Sequence, residues 1–369
     1  MKINNLTILA KGFTPDVGGV ESYSEFLMKG YISNKLDVTV VTFGNDVGEK
    51  NIFRMKKSND IFNFLKLLKL LLKDDECEVF HATTWRMALP FLFKKGELII
   101  TLHGNEFLKK SFLLSLLMNL VFKRANKLIA VSKYTQERFL DAFRTKSFQK
   151  KIFVASNAPT PVIAGEELSS EEIANFMEEM SITNKDLIYY SICRQEKRKN
   201  IRSAIIAFNT ADIGNSCKYL IAGSGPESAG ISALIKELNN PNIIYLGRVS
   251  DLVIKLLHKI GHVFLHPQIE LDNRRDVEGF GLVIIDAMAN CSATISGKDG
   301  GPSSFIIDGI NGLLLDGNKV NAITDAIEQL ANEKIRKELI KKGELTAKSL
   351  TWEKHAKVCM EKVDTCKIH

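Results

Sequence analysis

LIYYSICRQEKRKNIRSAIIAFNTADIGNSCKYLIA, residues 187–222, decides the architecture. Leu187–Cys193 is a short β-branched and aromatic run that reads as a buried strand. A basic loop follows, then apolar residues at helical spacing near 200–209, then a second buried run at Lys218–Ala222. Strand, helix, strand with apolar strands is the pattern of a parallel sheet covered on both faces.

The alternation extends in both directions. Downstream, strands are predicted at Asn242–Leu246, Val263–His266, Ala293–Ser296 and Gly312–Leu315, with helices near 227–238, 251–259, 281–290 and 319–332. Upstream, the predicted strands are Leu6–Ala10, Val38–Thr42, Glu78–Phe80, Leu98–Leu102, Lys127–Val131 and Ile152–Val154. Helical patterns cover Glu21–Ile32, Ile61–Leu72, Phe107–Lys123 and Tyr134–Phe143. PTPVIAGEELSSEE, residues 159–172, breaks the rhythm as a linker, with Ser169 or Ser170 as a helix N-cap. The expected fold class is α/β: two doubly wound Rossmann-like domains facing a cleft. The expected domains are 1–165, 166–350, and a helix in 351–369 that crosses back onto the first.

Composition agrees with this. The 369 residues exceed one ordinary core, and 45% hydrophobic with 25% charged residues is the balance of a globular chain. No apolar run approaches the roughly 18 residues of a membrane span, and the first residues are too weakly apolar for a secretory signal. Six scattered cysteines without C-x-x-C spacing point to reduced thiols and a cytoplasmic chain. Residues 1–160 carry 25 basic and 15 acidic residues, a charge of +10, whereas 161–369 carries −3. The first half is therefore expected to face an anionic partner: a membrane surface, a nucleic acid or a phosphorylated acceptor.

Ligands of open parallel sheets bind beyond the carboxyl ends of the strands, so the loops there carry the chemistry. VEGFGLVIIDAMAN (277–290) places Glu278 before Gly279, Phe280 and Gly281, with Leu282 opening a helix. Glycines admit close backbone approach, and a helix start presents unpaired amides to an anion. Asp286 lies about 7 Å further along the helix axis, at roughly 1.5 Å per residue, where a ribose would follow a diphosphate. The plain alternative is a turn before a core helix, with both acids solvated.

SICRQEKRKN (191–200) puts four basic residues at a strand end, where an anion is needed to neutralise them. Arg194 offers a bidentate fork and Lys199 a point charge; a solvated charge run is the alternative. The loops GSGP (223–226) and DVGGVE (16–21), the latter holding Gly19, are glycine-rich turns able to admit a phosphate or sugar. Neither matches a dinucleotide or Walker fingerprint. His103, in TLHGN (101–105), ends a strand before a glycine; such a histidine serves structure or a cleft.

In this order, these segments resemble the GT-B fold retaining glycosyltransferases, specifically glycosyltransferase family 4 (group 1). The resemblance also includes VSKYT (131–135), SNAP (156–159), LGRVS (246–250) and NGLLL (311–315). It implies that Arg194 and Lys199 bind a donor diphosphate, cradled by the amides of Phe280, Gly281 and Leu282. It further implies that Asp286 holds the ribose, Glu278 contacts the transferred sugar, and His103 approaches it from the first domain. Gly19 would line the phosphates, and the backbone around Val249 would meet the base. Three positions depart from the family pattern: Asp286 replaces a Glu, Asn200 a Gly and Ser304 a Glu. ELDNRRD (270–276) is unusually charged and either contacts a substrate or is solvated.

The resemblance implies transfer of a hexose from a nucleotide sugar, UDP ahead of GDP, with retention at the anomeric carbon. The acceptor would be a glycan or lipid-linked hydroxyl, as in bacterial surface polysaccharide or glycolipid synthesis. No Asp-x-Asp occurs, so neither metal nor other cofactor is expected. Ile61–Lys73 and Phe107–Arg124 mix leucines with lysines and read either as ordinary core helices or as helices lying on an anionic membrane. The latter would place the chain on the inner face of the cytoplasmic membrane. A sugar-nucleotide epimerase, a phosphorylase, and a nucleic-acid-binding protein are the competing readings. The last lacks any nucleic-acid motif, so no nucleic-acid partner is expected.

Overall fold

The computed structural model describes residues 6–16, 18–45, 48–72, 79–108, 111–160, 168–214, 216–271 and 275–361. Contacts divide the chain into two units: the residues before Pro159 together with those after Ser349, and Pro159–Ser349.

The first unit holds β1 (Leu6–Leu9), β2 (Val38–Phe43), β3 (Ile52–Met55), β4 (Val79–Ala82), β5 (Glu97–Leu102), β6 (Lys127–Ala130) and β7 (Ile152–Val154). They form one parallel sheet in the order β3-β2-β1-β4-β5-β6-β7. The second unit holds β8 (Leu187–Ile192), β9 (Cys217–Ala222), β10 (Ile243–Gly247), β11 (Val263–His266), β12 (Ala293–Gly297) and β13 (Leu313–Leu315). Its sheet is also parallel, in the order β10-β9-β8-β11-β12-β13. In both sheets the first strand lies beside the fourth. The order in which strands are added reverses there, leaving a crevice at the strands' carboxyl ends.

Central strands such as VTVVTF at β2 are buried at every position, as a sheet covered on both faces requires. The strand expected at Leu98–Leu102 begins one residue earlier, and that at Glu78–Phe80 is found over Val79–Ala82. β3 is a half-exposed edge strand without a buried run, so periodicity passes over it. The helix expected over Phe107–Lys123 is instead two, Asn105–Leu108 and Phe112–Arg124. Ser111 caps the second, its hydroxyl accepting from Leu114 N. Glu333–Ser349, missed in the sequence, is a 17-residue helix burying only Leu339, Gly343 and Ala347. One narrow stripe at i, i+4 spacing is swamped by charge. At the start of the 170–179 helix, Ser169 and Glu172 form a reciprocal capping box. Glu78, Lys109, Lys110 and 272–274 lie outside the described residues, as do 161–167 and 362–369.

The helix Trp352–Met360 packs on Gly19–Ser33 of the first unit. Gly30 permits this: a Cβ there would stand 2.3 Å from the Trp352 carbonyl oxygen. Buried polar groups pin the same helix. Tyr23 Oη lies 2.7 Å from Thr101 Oγ1 and 3.0 Å from His355 Nε2, while His355 Nδ1 is 3.1 Å from the Ser156 carbonyl. Lys127 donates to the Val358 and Glu361 carbonyls, which neutralises the helix's last turn. Gly30→Val should cost about 1–3 kcal/mol by forcing this helix off its seat. Thermal unfolding checks it: an unchanged melting temperature would show that the helix is not docked through Gly30.

Candidate active site in the second unit

The loops after β8 and β11 meet at the crevice, and they carry the candidate residues Arg194, Lys199 and Glu278. After β8, residues Lys197–Lys199 make one 3-10 turn before the helix Ile201–Thr210. Asn200 joins them at φ 59°, the left-handed conformation that glycine adopts freely and asparagine tolerates. Its amide donates to the carbonyls of Pro267 (3.0 Å) and Gly317 (2.7 Å). The departure from glycine at 200 therefore fits the backbone and ties β8's loop to β11's.

The basic run is neutralised largely from within. Arg194, with its side chain 71% exposed, lies 3.3 Å from Glu196. Arg198 pairs with Glu196 and stands 3.8 Å from Asp276. Lys199 is buried and its ammonium bonds the Glu278 carboxylate. The expectation that an external anion must balance all four charges is corrected: carboxylates from 196, 276 and 278 balance most of them. Arg194 keeps the most solvent-facing guanidinium of the set.

Burial would push the Glu278 carboxyl up, but the positive charges of Lys199 and Arg198 outweigh it and hold Glu278 well below the usual range. The Glu278 carbonyl accepts from Gly301 N at 2.8 Å. Gly301 is needed there because a Cβ would stand 2.1 Å from the Gly279 carbonyl oxygen. Phe280 is buried against Phe305, ring centroids 4.9 Å apart. Gly281, at φ 92°, turns the chain into the helix Leu282–Ala289. The amides opening that helix have no acceptor inside it, and they face the end from which Glu278 enters.

Asp286 lies one turn in and is only 4% exposed. Both its oxygens are engaged: Thr160 N donates to Oδ1 and Thr160 Oγ1 to Oδ2, each at 2.6 Å. Burial raises its carboxyl to about 7, with the Thr160 bonds opposing. Sequence reading missed Thr160, whose pairing with a residue 126 positions away has no local signature. Burial of this acid has a thermodynamic sign. From about pH 4 to about pH 7 the folded chain holds a proton that the unfolded chain has released, so stability falls as pH rises through that window. Asp286→Asn removes the ionisation and can keep both Thr160 contacts. It should be more stable than the parent by about 1–3 kcal/mol at pH 8 and show no advantage at pH 4. Equal denaturation midpoints at both pH values would refute the assignment.

Of the two glycine-rich loops read as able to admit a phosphate or sugar, GSGP is filled by backbone at both its glycines. A Cβ at Gly223 would meet the Cys193 carbonyl oxygen at 1.9 Å, and one at Gly225 the Gln195 carbonyl oxygen at 2.5 Å. GSGP thus admits the chain's own backbone, zipping the loop after β9 to that after β8. Val249 follows β10, whose Gly247 carbonyl accepts from Gly223 N at 2.7 Å.

His103 and Gly19 belong to the first unit and follow β5 and β1. His103 Nε2 donates to the Thr83 carbonyl at 2.9 Å, and its amide donates to Glu106 Oε1 at 2.6 Å. Burial lowers its imidazole to about 4, so the ring is neutral, with Nδ1 as acceptor. Glu106, which sequence reading missed, is raised by burial to about 7. A Cβ at Gly19 would meet no atom within 4 Å.

The pattern described as "Glycosyl transferases group 1" matches residues 172–346, and that described as "Glycosyltransferase Family 4" matches residues 17–158. The chain belongs to the group 1 glycosyltransferases of family 4. An uncharacterized glycosyltransferase of Methanocaldococcus jannaschii is 25% identical over 93% of each chain. The alpha-monoglucosyldiacylglycerol synthase of Acholeplasma laidlawii is 27% identical over 52% of this chain and 46% of its own. The solved structure of Anabaena HepE in complex with UDP and glucose superposes with a TM-score of 0.77 at 16% identity, covering 96% and 98% of the two chains. The two parallel-sheet α/β units and this superposition give the chain the GT-B fold.

Proposed function

We propose that this glycosyltransferase moves a hexose from a nucleoside diphosphate sugar, UDP ahead of GDP, to a glycan or lipid-linked hydroxyl, with retention and without a metal. The observation that carries the reading is the buried Lys199–Glu278 pair beside Arg194 and the start of the 282–289 helix. In this reading Arg194, Lys199 and the amides of Phe280, Gly281 and Leu282 hold the diphosphate. Their fixed charge stabilises it as the bond to C1 breaks. The acceptor oxygen bonds to C1 on the same face, and its proton passes to the departing phosphate oxygen. Glu278 takes the sugar hydroxyls. Asp286 takes the ribose through the lone pairs that Thr160 leaves open, since a carboxylate offers about four. Val249 meets the base. In the first unit, His103 and Gly19 are assigned as donor-facing residues. Among the described residues, no three His, Cys, Asp or Glu side chains gather as a metal site.

A thermal-shift panel of UDP, GDP, ADP and their sugars tests the donor. UDP compounds should shift the transition selectively, and Arg194→Ala should weaken the effect about tenfold or more in concentration. A shift undiminished in that variant refutes the diphosphate assignment.

The acceptor side is proposed to rest on an anionic membrane, on the inner face of the cytoplasmic membrane. Among the described residues, no helix is long and apolar enough to cross one. The helices Asp60–Leu72 and Phe112–Arg124 both pack on the turn Leu89–Leu92. Around it Ile61, Phe62, Phe93, Phe112 (88%), Leu113 (74%) and Leu116 stand exposed. Lys69, Lys95 and Lys123 are exposed beside them. Arg124 is held against the chain beside them, donating to the carbonyls of Lys94 and Gly96. The relative named as an alpha-monoglucosyldiacylglycerol synthase supports a lipid acceptor. Phe112→Gln with Leu113→Gln should lower sedimentation with phosphatidylglycerol vesicles about tenfold or more. Undiminished binding rejects this surface.

A further inference from the structure

His266 ends β11 at the crevice between β8 and β11, and its side chain is fully buried. Its ring lies flat against Phe264, centroids 5.9 Å apart and planes 11° apart. Neither ring nitrogen has a hydrogen-bond partner. A buried polar group left unpaired costs about 1–3 kcal/mol and calls for an explanation. One nearby acceptor is informative: Nε2 stands 3.9 Å from Glu278 Oε2. That is too long for a hydrogen bond and short enough to become one after a small side-chain movement. The same oxygen accepts from the Lys199 ammonium. Lys199 is thus shared: it neutralises Glu278 in this state and is the cation assigned to the donor diphosphate.

We propose that His266 is the relief partner of Glu278. When a diphosphate draws Lys199 away, the Glu278 carboxylate closes onto the His266 Nε2–H and stays oriented for the sugar. His266 is therefore a positioning residue that acts through Glu278. Burial first, then the Lys199 charge, lowers its imidazole to about 4, so the ring is neutral and carries one N–H to donate. The open gap, the unpaired nitrogens and the doubly claimed lysine have one account in common.

This inference rests on the diphosphate assignment, and inorganic pyrophosphate separates the two because it needs neither base nor sugar. In the full chain labelled at histidine and lysine, NMR signals of His266 and Lys199 are assigned with His266→Gln and Lys199→Gln. Pyrophosphate should move the Lys199 side-chain signal and shift the His266 Nε2 proton downfield at the same concentration. Movement of Lys199 with His266 unchanged overturns this inference and leaves the diphosphate assignment standing. Movement of His266 alone overturns it as well. No response at Lys199 removes both. With the nucleotide sugar that the thermal-shift panel selects, His266→Phe keeps the stack on Phe264 and should lower kcat about 10- to 100-fold at near-parental KM. His266→Gln, whose amide nitrogen reaches the Nε2 position, should recover most of the rate, and His266→Asn should not. Equal rates in the Phe and Gln variants refute the proposal. Should the Phe variant fail to fold, equal rates in Gln and Asn refute it instead.

Discussion

Lys199 and Glu278 place opposite charges together where little water reaches either. Removing each ion from water costs several kcal/mol, and apolar replacements often stabilise such sites. A buried pair of this kind is poor scaffolding, and its presence bears on chemistry. It also sets the state of its surroundings. Glu278 stays ionised despite burial, and His266 stays neutral despite an adjacent carboxylate. The second unit thereby holds an anion and a cation ready at a sheet end whose loops are otherwise self-neutralised.

The surrounding backbone makes that arrangement rigid. The loop after β11 is tied to the one after β12 by Gln268, whose amide donates to the Gly297 and Asp299 carbonyls. Gly301 sits against Gly279, and Gly225 against Gln195. Asn200 links the loop after β8 to Pro267 and Gly317. Donors held this way need no reorganisation when charge develops on a leaving group, which is what electrostatic catalysis requires.

The first unit spends its buried polar groups differently. Tyr23, Tyr31, His81, Thr101 and His355 form one chain of hydrogen bonds beneath the sheet's carboxyl end. Burial lowers both of its histidines, His81 and His355, and the neighbouring His103 as well, so the network carries no charge of its own. Its role is geometric. Tyr23 meets the His103 ring edge-on at 4.7 Å, so the seat of the C-terminal helix and the placement of His103 share one residue.

Read alone, the sequence was enough for the α/β class and nearly every strand, because a parallel sheet buried on both faces writes itself as short apolar runs. Arg194, Lys199, Glu278 and Asp286 stood out as candidates, since glycines and charges at strand ends contrast with that background. β3 and the 333–349 helix were not, because an edge strand and a narrow buried stripe leave little periodic trace. Partnership was invisible throughout. That Lys199 faces Glu278, that Thr160 holds Asp286, and that His266 stands 3.9 Å from a carboxylate depend on contacts across 79, 126 and 12 positions. Such contacts exist only once parallel crossovers bring distant strand ends to one crevice. Local propensity fixes each element by its neighbours along the chain, whereas burial and charge pairing are set by neighbours in space.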